Sequence, residues 1–284
     1  MKIRQAILTV LLNGLQALPP FTGRDRLRWE LAKFYPPQGG YLTGLYNTAR
    51  VELLVRSEYE RCIWLKMREH EELKQLAALL KPGGIFIDVG ANIGLWSLTA
   101  ASVIGGEGKV YAIEANSKTY LRLVKNVAHN AWQERICAVN IGISDHCGEI
   151  TFMAQQEHYL SRVVNNNVSG SVRIKVITLD DLLYDSLERV DGIKIDVEGH
   201  EGPVIEGAKR IIEAYRPWIV VEYNRYFVQT PLFEEWILYR ELAQLGYQAY
   251  LWDGFNSKNP RLATTTEIAG RGCVDVVFIS RNKH

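Results

Sequence analysis

The 284-residue sequence has almost no net charge, since 33 lysines and arginines balance 32 acidic residues to leave a net charge of +1. Proteins that bind nucleic acid usually show a clear basic excess, so we expect no nucleic-acid partner. Cysteines are also few, and the four present (Cys62, Cys137, Cys147 and Cys273) include no C-x-x-C pair. This spacing argues against structural zinc and favours free thiols in a reducing, cytoplasmic compartment.

No apolar run reaches the roughly 20 residues that a membrane-spanning helix needs. The first 18 residues resemble a signal peptide, but Asn13 interrupts their apolar stretch, and Pro19-Pro20 stands where a small-residue cleavage site would be. Polar residues recur there at helical spacing. We therefore expect an amphipathic helix over residues 1–18 that packs on its own domain or mediates self-association, or else lies on the inner membrane surface.

A strand–turn–helix pattern is the most informative feature that is present. Ile85–Val89 is an apolar run of strand length, followed by a turn that contains Gly90, Asn92 and Gly94 and then by a helical segment. Ligands bind at the start of such a helix, beside the carboxyl end of a parallel strand. Glu114 ends the next apolar strand, where it can accept two ribose hydroxyls. The pattern predicts a nucleoside-binding βαβ unit.

The loop residues indicate which nucleoside binds. A dinucleotide fingerprint has a second glycine for close approach to a pyrophosphate, whereas Asn92 stands at that position and Asp88 adds a carboxylate beside it. Negative charge repels a pyrophosphate but suits an ammonium group, which favours S-adenosylmethionine over a nicotinamide dinucleotide. Two alternatives stay open, a nucleotide-dependent oxidoreductase and a non-catalytic binding or scaffold protein with the same fold.

A second motif combines strand pattern with charge. Ile193–Val197 reads as a buried strand, yet Lys194 and Asp196 lie on one face of it. Burying an unpaired charge is costly, so these side chains need either mutual pairing or a function. Glu198 and His200 follow directly and are expected at the carboxyl end of this strand.

A third strand, Ile136 to Ile143, ends in Ser144 and Asp145. Either side chain could meet the adenine amino group, or Asp145 could merely close the following turn. Residues 149–178 read as a hairpin insertion near the acceptor side. The alternation of strands and helices predicts a doubly wound α/β sheet.

These residues together resemble the FkbM family of S-adenosylmethionine-dependent methyltransferases. The likeness covers about residues 57 to 225 and rests on residues 86–94, residues 193–201, and Glu222 after the next strand. It implies a Rossmann-like class I methyltransferase fold, with a seven-stranded, mostly parallel sheet, an antiparallel last strand and helices on both faces. We therefore expect a cover segment over residues 1–56 and a methyltransferase domain over residues 57–284.

The resemblance also implies O-methylation, often of sugar hydroxyls on glycans, glycolipids or natural products. It makes Asp88, Gly90, Asn92, Gly94 and Glu114 the cofactor-binding residues, and it places Asp196 at the active site.

His200 is the candidate general base, because its ordinary pKa lies near neutral. Glu198, Lys194 and Glu222 complete the candidate catalytic group. Alternatively, Asp196 and Glu222 could hold Mg²⁺ against the acceptor hydroxyls. Tyr226 and Phe227, in the loop after the fifth strand, are expected to contact a carbohydrate acceptor.

Overall fold

A computed structural model describes residues 23–34, 41–54, 56–153, 162–164, 169–228, 230 and 232–281, together with residues 7, 8, 10–12, 14, 15 and 18. None of the helices described is long and apolar enough to cross a membrane. Residues 154–161 and 165–168 of the predicted hairpin insertion lie outside the described residues.

A seven-stranded sheet forms the centre of the molecule. Its strands are β3 (Ile85–Val89), β4 (Lys109–Ile113), β5 (Ile136–Val139), β10 (Gly192–Ile195), β11 (Trp218–Asn224), β12 (Tyr247–Leu251) and β13 (Cys273–Ser280). The strand order is β12-β13-β11-β10-β3-β4-β5. Only β13 among them runs antiparallel, pairing with β11 and β12. The predicted class I methyltransferase architecture, with its reversed last strand, is confirmed.

Helices cover both faces of this sheet. They are α1 (Arg24–Ala32), α2 (Glu58–Trp64), α3 (His70–Leu79), α4 (Leu95–Ile104), α5 (Ser117–His129), α6 (Leu179–Leu183), α7 (Glu201–Glu206), α8 (Lys209–Tyr215), α9 (Ile237–Gln244) and α10 (Thr265–Ile268). Strands buried on both sides have to be almost wholly apolar, and two large clusters of buried side chains, one for each face, meet this requirement.

The N-terminal segment packs on the main domain. A hairpin of β1 (Tyr41–Gly44) and β2 (Arg50–Leu53) is bonded to α5, where the Asn126 side chain accepts from the Glu52 amide at 2.8 Å. The described residues between 7 and 15, which belong to the predicted amphipathic helix, are helical. Leu8 and Leu12 in this segment pack against Leu65. Its contact with a membrane or partner, and the domain division after residue 56, stay predictions.

The insertion builds a small sheet of its own. Strands β6 (Gly142–Ile143), β7 (Gly148–Met153), β8 (Arg162–Val163) and β9 (Val172–Ile177) pair in the order β6-β9-β7-β8. Within this sheet, β7 and β9 pair antiparallel.

The prediction of one continuous third strand from Ile136 to Ile143 is wrong. It divides after Val139 because Asn140 donates its side-chain amide to Glu114 O at 2.7 Å, and the chain then enters the small sheet as β6.

Candidate active site

A cavity of about 300 Å³ lies at the carboxyl ends of β3, β4, β10 and β11. One side is lined by the predicted cofactor residues Gly90, Asn92 and Glu114, and the other by the predicted catalytic residues Asp196, Glu198, His200 and Glu222. The two motifs, about 100 residues apart in the sequence, therefore share one cavity. Such a cleft at the strand ends is where open α/β sheets bind ligands.

Gly90 brings the two motifs together. It has a φ of +80°, and a β-carbon on it would lie 1.9 Å from the Asp196 carbonyl oxygen. Only glycine tolerates both the left-handed backbone and this close approach. The first motif consequently packs directly against the backbone of the second.

Asp88 lies behind the cavity wall and is not one of the described residues that line it. Its side chain is fully buried, and Oδ2 lies 2.5 Å from Ser97 Oγ. Burial raises the pKa of this carboxyl, although Lys194 opposes the shift. The expectation that Asp88 itself meets the ammonium group does not match this placement, which instead makes Asp88 a support for the start of α4.

Glu114 joins the cofactor loop to the next turn. One carboxylate oxygen accepts from the Asn92 amide at 2.9 Å and the other from the Asn116 amide at 2.7 Å. Charge-assisted bonds of this kind are stronger than neutral ones. Glu114 thus fixes Asn92, whose φ of 51° lies in the left-handed region, and it still lines the cavity.

The oxygen acceptors and acidic side chains that line the cavity suit a cationic ligand. Asn92 lines the cavity, and its Oδ1 is buried and has no hydrogen-bond partner among the described residues. The acidic side chains lining the cavity outnumber the basic ones, with five carboxyl groups and one guanidinium (Glu69, Glu114, Asp196, Glu198, Glu222 and Arg68). An excess of carboxylates favours a sulfonium and an ammonium group and disfavours a pyrophosphate.

The buried Lys194 pairs with Asp196, as the strand pattern predicts, although the Asp196 side chain is partly exposed. Lys194 Nζ lies 3.0 Å from Asp196 Oδ2 and 5.5 Å from the centre of the Trp96 ring. Burial alone would lower the pKa of Lys194, but the carboxylates of Asp196 and Asp88 raise it above its ordinary value. The ammonium group therefore stays charged and holds the Asp196 carboxylate in place.

The Asp196 carboxylate also lies close to two further carboxyl groups, those of Glu198 and Glu222. One oxygen each from Asp196, Glu198 and Glu222 lies within 4.8 Å of the other two. Burial, reinforced by Asp196 and Glu222, raises the pKa of Glu198 to about 8, and burial beside Asp196 also raises the pKa of Glu222. Glu198 is held in a left-handed conformation with φ 53°. Backbone strain of this kind often occurs at functional sites.

His200 is fixed by a short hydrogen-bond chain. Ser144 Oγ donates to Asp145 Oδ1 at 3.0 Å and lies 3.0 Å from His200 Nε2. Because the hydroxyl has a single proton, it accepts from His200, which places the imidazole proton on Nε2 and leaves Nδ1 unprotonated. Burial lowers the pKa of His200, so the ring is neutral at neutral pH. The geometry leaves Nδ1 as an available base.

Ser144 and Asp145 do not lie where the expected contact with the adenine amino group would place them. Neither is among the described residues that line the cavity, and the same segment instead presents Ile141, Gly142 and Ile143 to it. Ser144 is fully buried beside His200, and Asp145 is exposed and paired with His146 at 2.6 Å.

A third wall comes from the segment before β3, which the sequence did not predict as part of the site. Tyr59, Arg68 and Glu69 line the cavity. The Glu69 carboxylate accepts from Tyr59 at 2.7 Å and from the Trp96 indole at 3.2 Å. The one available signal was the polar pair Arg68-Glu69 directly before α3.

The sequence model of the methyltransferase FkbM domain matches residues 88–249. This span contains the first motif from Asp88 onward, the whole second motif and more than half of the chain. The chain belongs to the FkbM methyltransferase family. Its members are S-adenosylmethionine-dependent methyltransferases, so the wall formed by Gly90, Asn92 and Glu114 is the expected cofactor side.

Several proteins resemble this FkbM-family chain. Hexuronic acid methyltransferase AglP of Haloferax volcanii is 28% identical over 160 residues, which cover 54% of this chain and 62% of that protein. Ribosomal RNA large subunit methyltransferase E of Wigglesworthia glossinidia brevipalpis is 21% identical over 53% of this chain and 77% of that protein. The solved structure of an FkbM methyltransferase from Methylobacillus flagellatus KT covers 78% of this chain and 55% of its own, at 17% identity and a TM-score of 0.44. This chain thus spans less than two thirds of AglP.

Proposed function

We propose that this protein is an S-adenosylmethionine-dependent O-methyltransferase that acts on a sugar hydroxyl. The observation that carries the proposal is a single cavity with cofactor-loop residues on one wall and, on the other, a His200 that is hydrogen-bonded to Ser144. Family membership supports the cofactor, and the name of the hexuronic acid methyltransferase supports a sugar acceptor.

The bound cofactor supplies an electrophilic methyl group on a sulfonium. On the cofactor side, Asn92 Oδ1 provides an acceptor for the ammonium group, and Glu114 provides carboxylate oxygens for the ribose. Transfer breaks a carbon–sulfur bond, forms a carbon–oxygen bond at the acceptor and releases the hydroxyl proton. This chain has to align the acceptor oxygen for in-line attack and receive that proton.

His200 is the residue that we propose to take the proton. Its Nδ1 makes no hydrogen bond to a described residue, and the Asp145–Ser144 chain keeps it unprotonated. The product imidazolium is stabilised by the nearby Asp145 carboxylate, which acts to raise the pKa of His200 against the effect of burial. Ser144 and Asp145 are then positioning residues rather than cofactor contacts.

A metal-assisted mechanism is the second candidate. The spacing of Asp196, Glu198 and Glu222 is compatible with three oxygen ligands to one ion, and hard oxygen donors suit Mg²⁺. That ion would orient two acceptor hydroxyls and lower the pKa of the attacking one. The spacing of these three groups is the observation that favours this alternative.

The proposal can be tested in two steps. The first is calorimetric titration of the protein with S-adenosylmethionine, S-adenosylhomocysteine and NAD. We expect the first two to bind and NAD not to bind. The second is detection of S-adenosylhomocysteine release with a panel of glycosides, followed by mass spectrometry of the product. Binding of NAD alone would refute the cofactor assignment, and binding of none would favour a scaffold protein.

A further inference from the structure

A second cleft opens beside the main cavity, and its lining combines two arginines with two aromatic residues. Arg162 on β8 and Arg225 after β11 contribute the guanidinium groups, and Tyr226 and Phe227 contribute the rings. We propose that this cleft is the acceptor subsite and that it selects an anionic sugar, whose carboxylate or phosphate is held by Arg162 and Arg225. The inference rests on the proposed function and specifies the acceptor class.

The two guanidinium groups are available to a ligand. In the described part of the chain neither Arg162 nor Arg225 forms an ion pair, whereas Arg122 pairs with Glu60 at 2.6 Å and Arg173 with Glu149 at 3.0 Å. A guanidinium binds a carboxylate or phosphate through two parallel hydrogen bonds. Two unpaired arginines on one cleft are therefore a suitable anion site.

The aromatic side of the cleft is held in position. Phe227 packs on Gly199 so closely that a β-carbon there would lie 2.8 Å from its ring. Tyr226 meets Phe227 edge to face with ring centres 5.2 Å apart, yet 72% of Tyr226 is exposed. Arg162 lies 6.0 Å from the centre of the Phe227 ring. An anion at the guanidinium group would therefore place its sugar ring beside an aromatic surface.

The cleft also leads to the proposed chemistry. Glu198 and His200 line both the cleft and the main cavity. A sugar anchored by its anion at the arginines therefore directs its hydroxyl groups toward His200 and the cofactor side. The anion thus acts as an anchor, and a hydroxyl of the same sugar is methylated.

The test compares three glycosides by calorimetry, using the full chain saturated with S-adenosylhomocysteine. These are methyl glucuronide, methyl glucoside 6-phosphate and the neutral methyl glucoside. We expect at least one anionic glycoside to bind tenfold or more tightly than the neutral one, and Arg162→Gln/Arg225→Gln to abolish the preference. Arg173→Gln is the matched control, since this exposed arginine lies in the same small sheet but is paired with Glu149.

The cofactor titration separates the two proposals. If S-adenosylhomocysteine binds every variant but the three glycosides bind equally, or none binds, the anionic-sugar inference is wrong while the methyltransferase proposal stands. If S-adenosylhomocysteine fails to bind the wild-type protein, the proposed function fails and takes the inference with it. Which anion binds more tightly distinguishes a uronate from a sugar phosphate.

Discussion

Glu114 offers the sharpest test of the cofactor side, because its carboxylate either contacts the ribose or only braces the loop. Both oxygens already accept backbone amides, from Asn92 at 2.9 Å and Asn116 at 2.7 Å. A carboxylate has about four acceptor positions, so each oxygen can also accept a ribose hydroxyl. Under the proposed function, Glu114→Gln removes a brace and a cofactor contact together.

The magnitude follows from these two bonds. A glutamine has one acceptor oxygen where the carboxylate has two, so one backbone amide loses its partner. A hydrogen bond to a charged group contributes about 1.5–3 kcal/mol net, and we expect the free energy of unfolding to fall by about that amount. A similar loss at the ribose weakens the binding of S-adenosylhomocysteine roughly 10- to 150-fold in Kd.

Calorimetric titration and urea denaturation on the same samples measure the two effects separately. The control is Asn116→Ala, which removes the side-chain cap on the Lys118 amide at 3.0 Å. It should cost about 1 kcal/mol of stability and leave cofactor affinity unchanged. If Glu114→Gln is destabilised but binds S-adenosylhomocysteine within about twofold of the wild type, the ribose role is refuted and only the brace remains.

Three further predictions concern the other wall and the scaffold. In ¹⁵N NMR spectra, His200 should show the Nε2–H tautomer in the wild type and a mixture in Ser144→Ala, because the alanine cannot accept from Nε2; a wild-type Nδ1–H tautomer would contradict the proposed base. If His200 is the base, methyl transfer should continue in the presence of EDTA. The metal-assisted alternative would instead be established if EDTA abolished activity and Mg²⁺ restored it in the wild type but not in Glu222→Gln. Asp180→Ala should lower the free energy of unfolding by about 2 kcal/mol, since both carboxylate oxygens accept first-turn amides of α8 at 2.9 and 3.0 Å. Asp185→Ala is the control, because this side chain is exposed, and it should change the free energy of unfolding by less than about 0.5 kcal/mol. Equal urea midpoints for the two variants would show that the Asp180 hydrogen bonds contribute nothing to stability.

Elements with local signals could be predicted from the sequence. Asn116 is a residue type typical of an N-cap, and it occupies that position at the start of α5, where its side chain accepts from the Lys118 amide. The charged strand β10 likewise follows from its pattern, because Lys194 and Asp196 could be buried on one face only as a pair.

Features set by long-range contacts could not be predicted in this way. The apolar stretch from Ile136 to Ile143 reads as one strand, and only the contact from Asn140 to the end of β4 explains its division. Glu69 joins the cavity wall through partners 10 and 27 residues away in the chain. His200 is a candidate base from its ordinary pKa, but the tautomer that permits this role depends on Ser144, 56 residues earlier.

The small sheet β6-β9-β7-β8 has a consequence for how enzymes of this design diversify. Its two-residue edge strand β8 pairs with β7 and carries Arg162, while the cofactor loop belongs to the separate seven-stranded sheet. Under the proposed role of Arg162, we expect substitutions or length changes in residues 148–177 to alter which acceptor is recognised without replacing Gly90, Asn92 or Glu114. Acceptor choice and methyl-group chemistry would then evolve as separate modules, and exchanging this segment between relatives would be a direct route to engineered specificity.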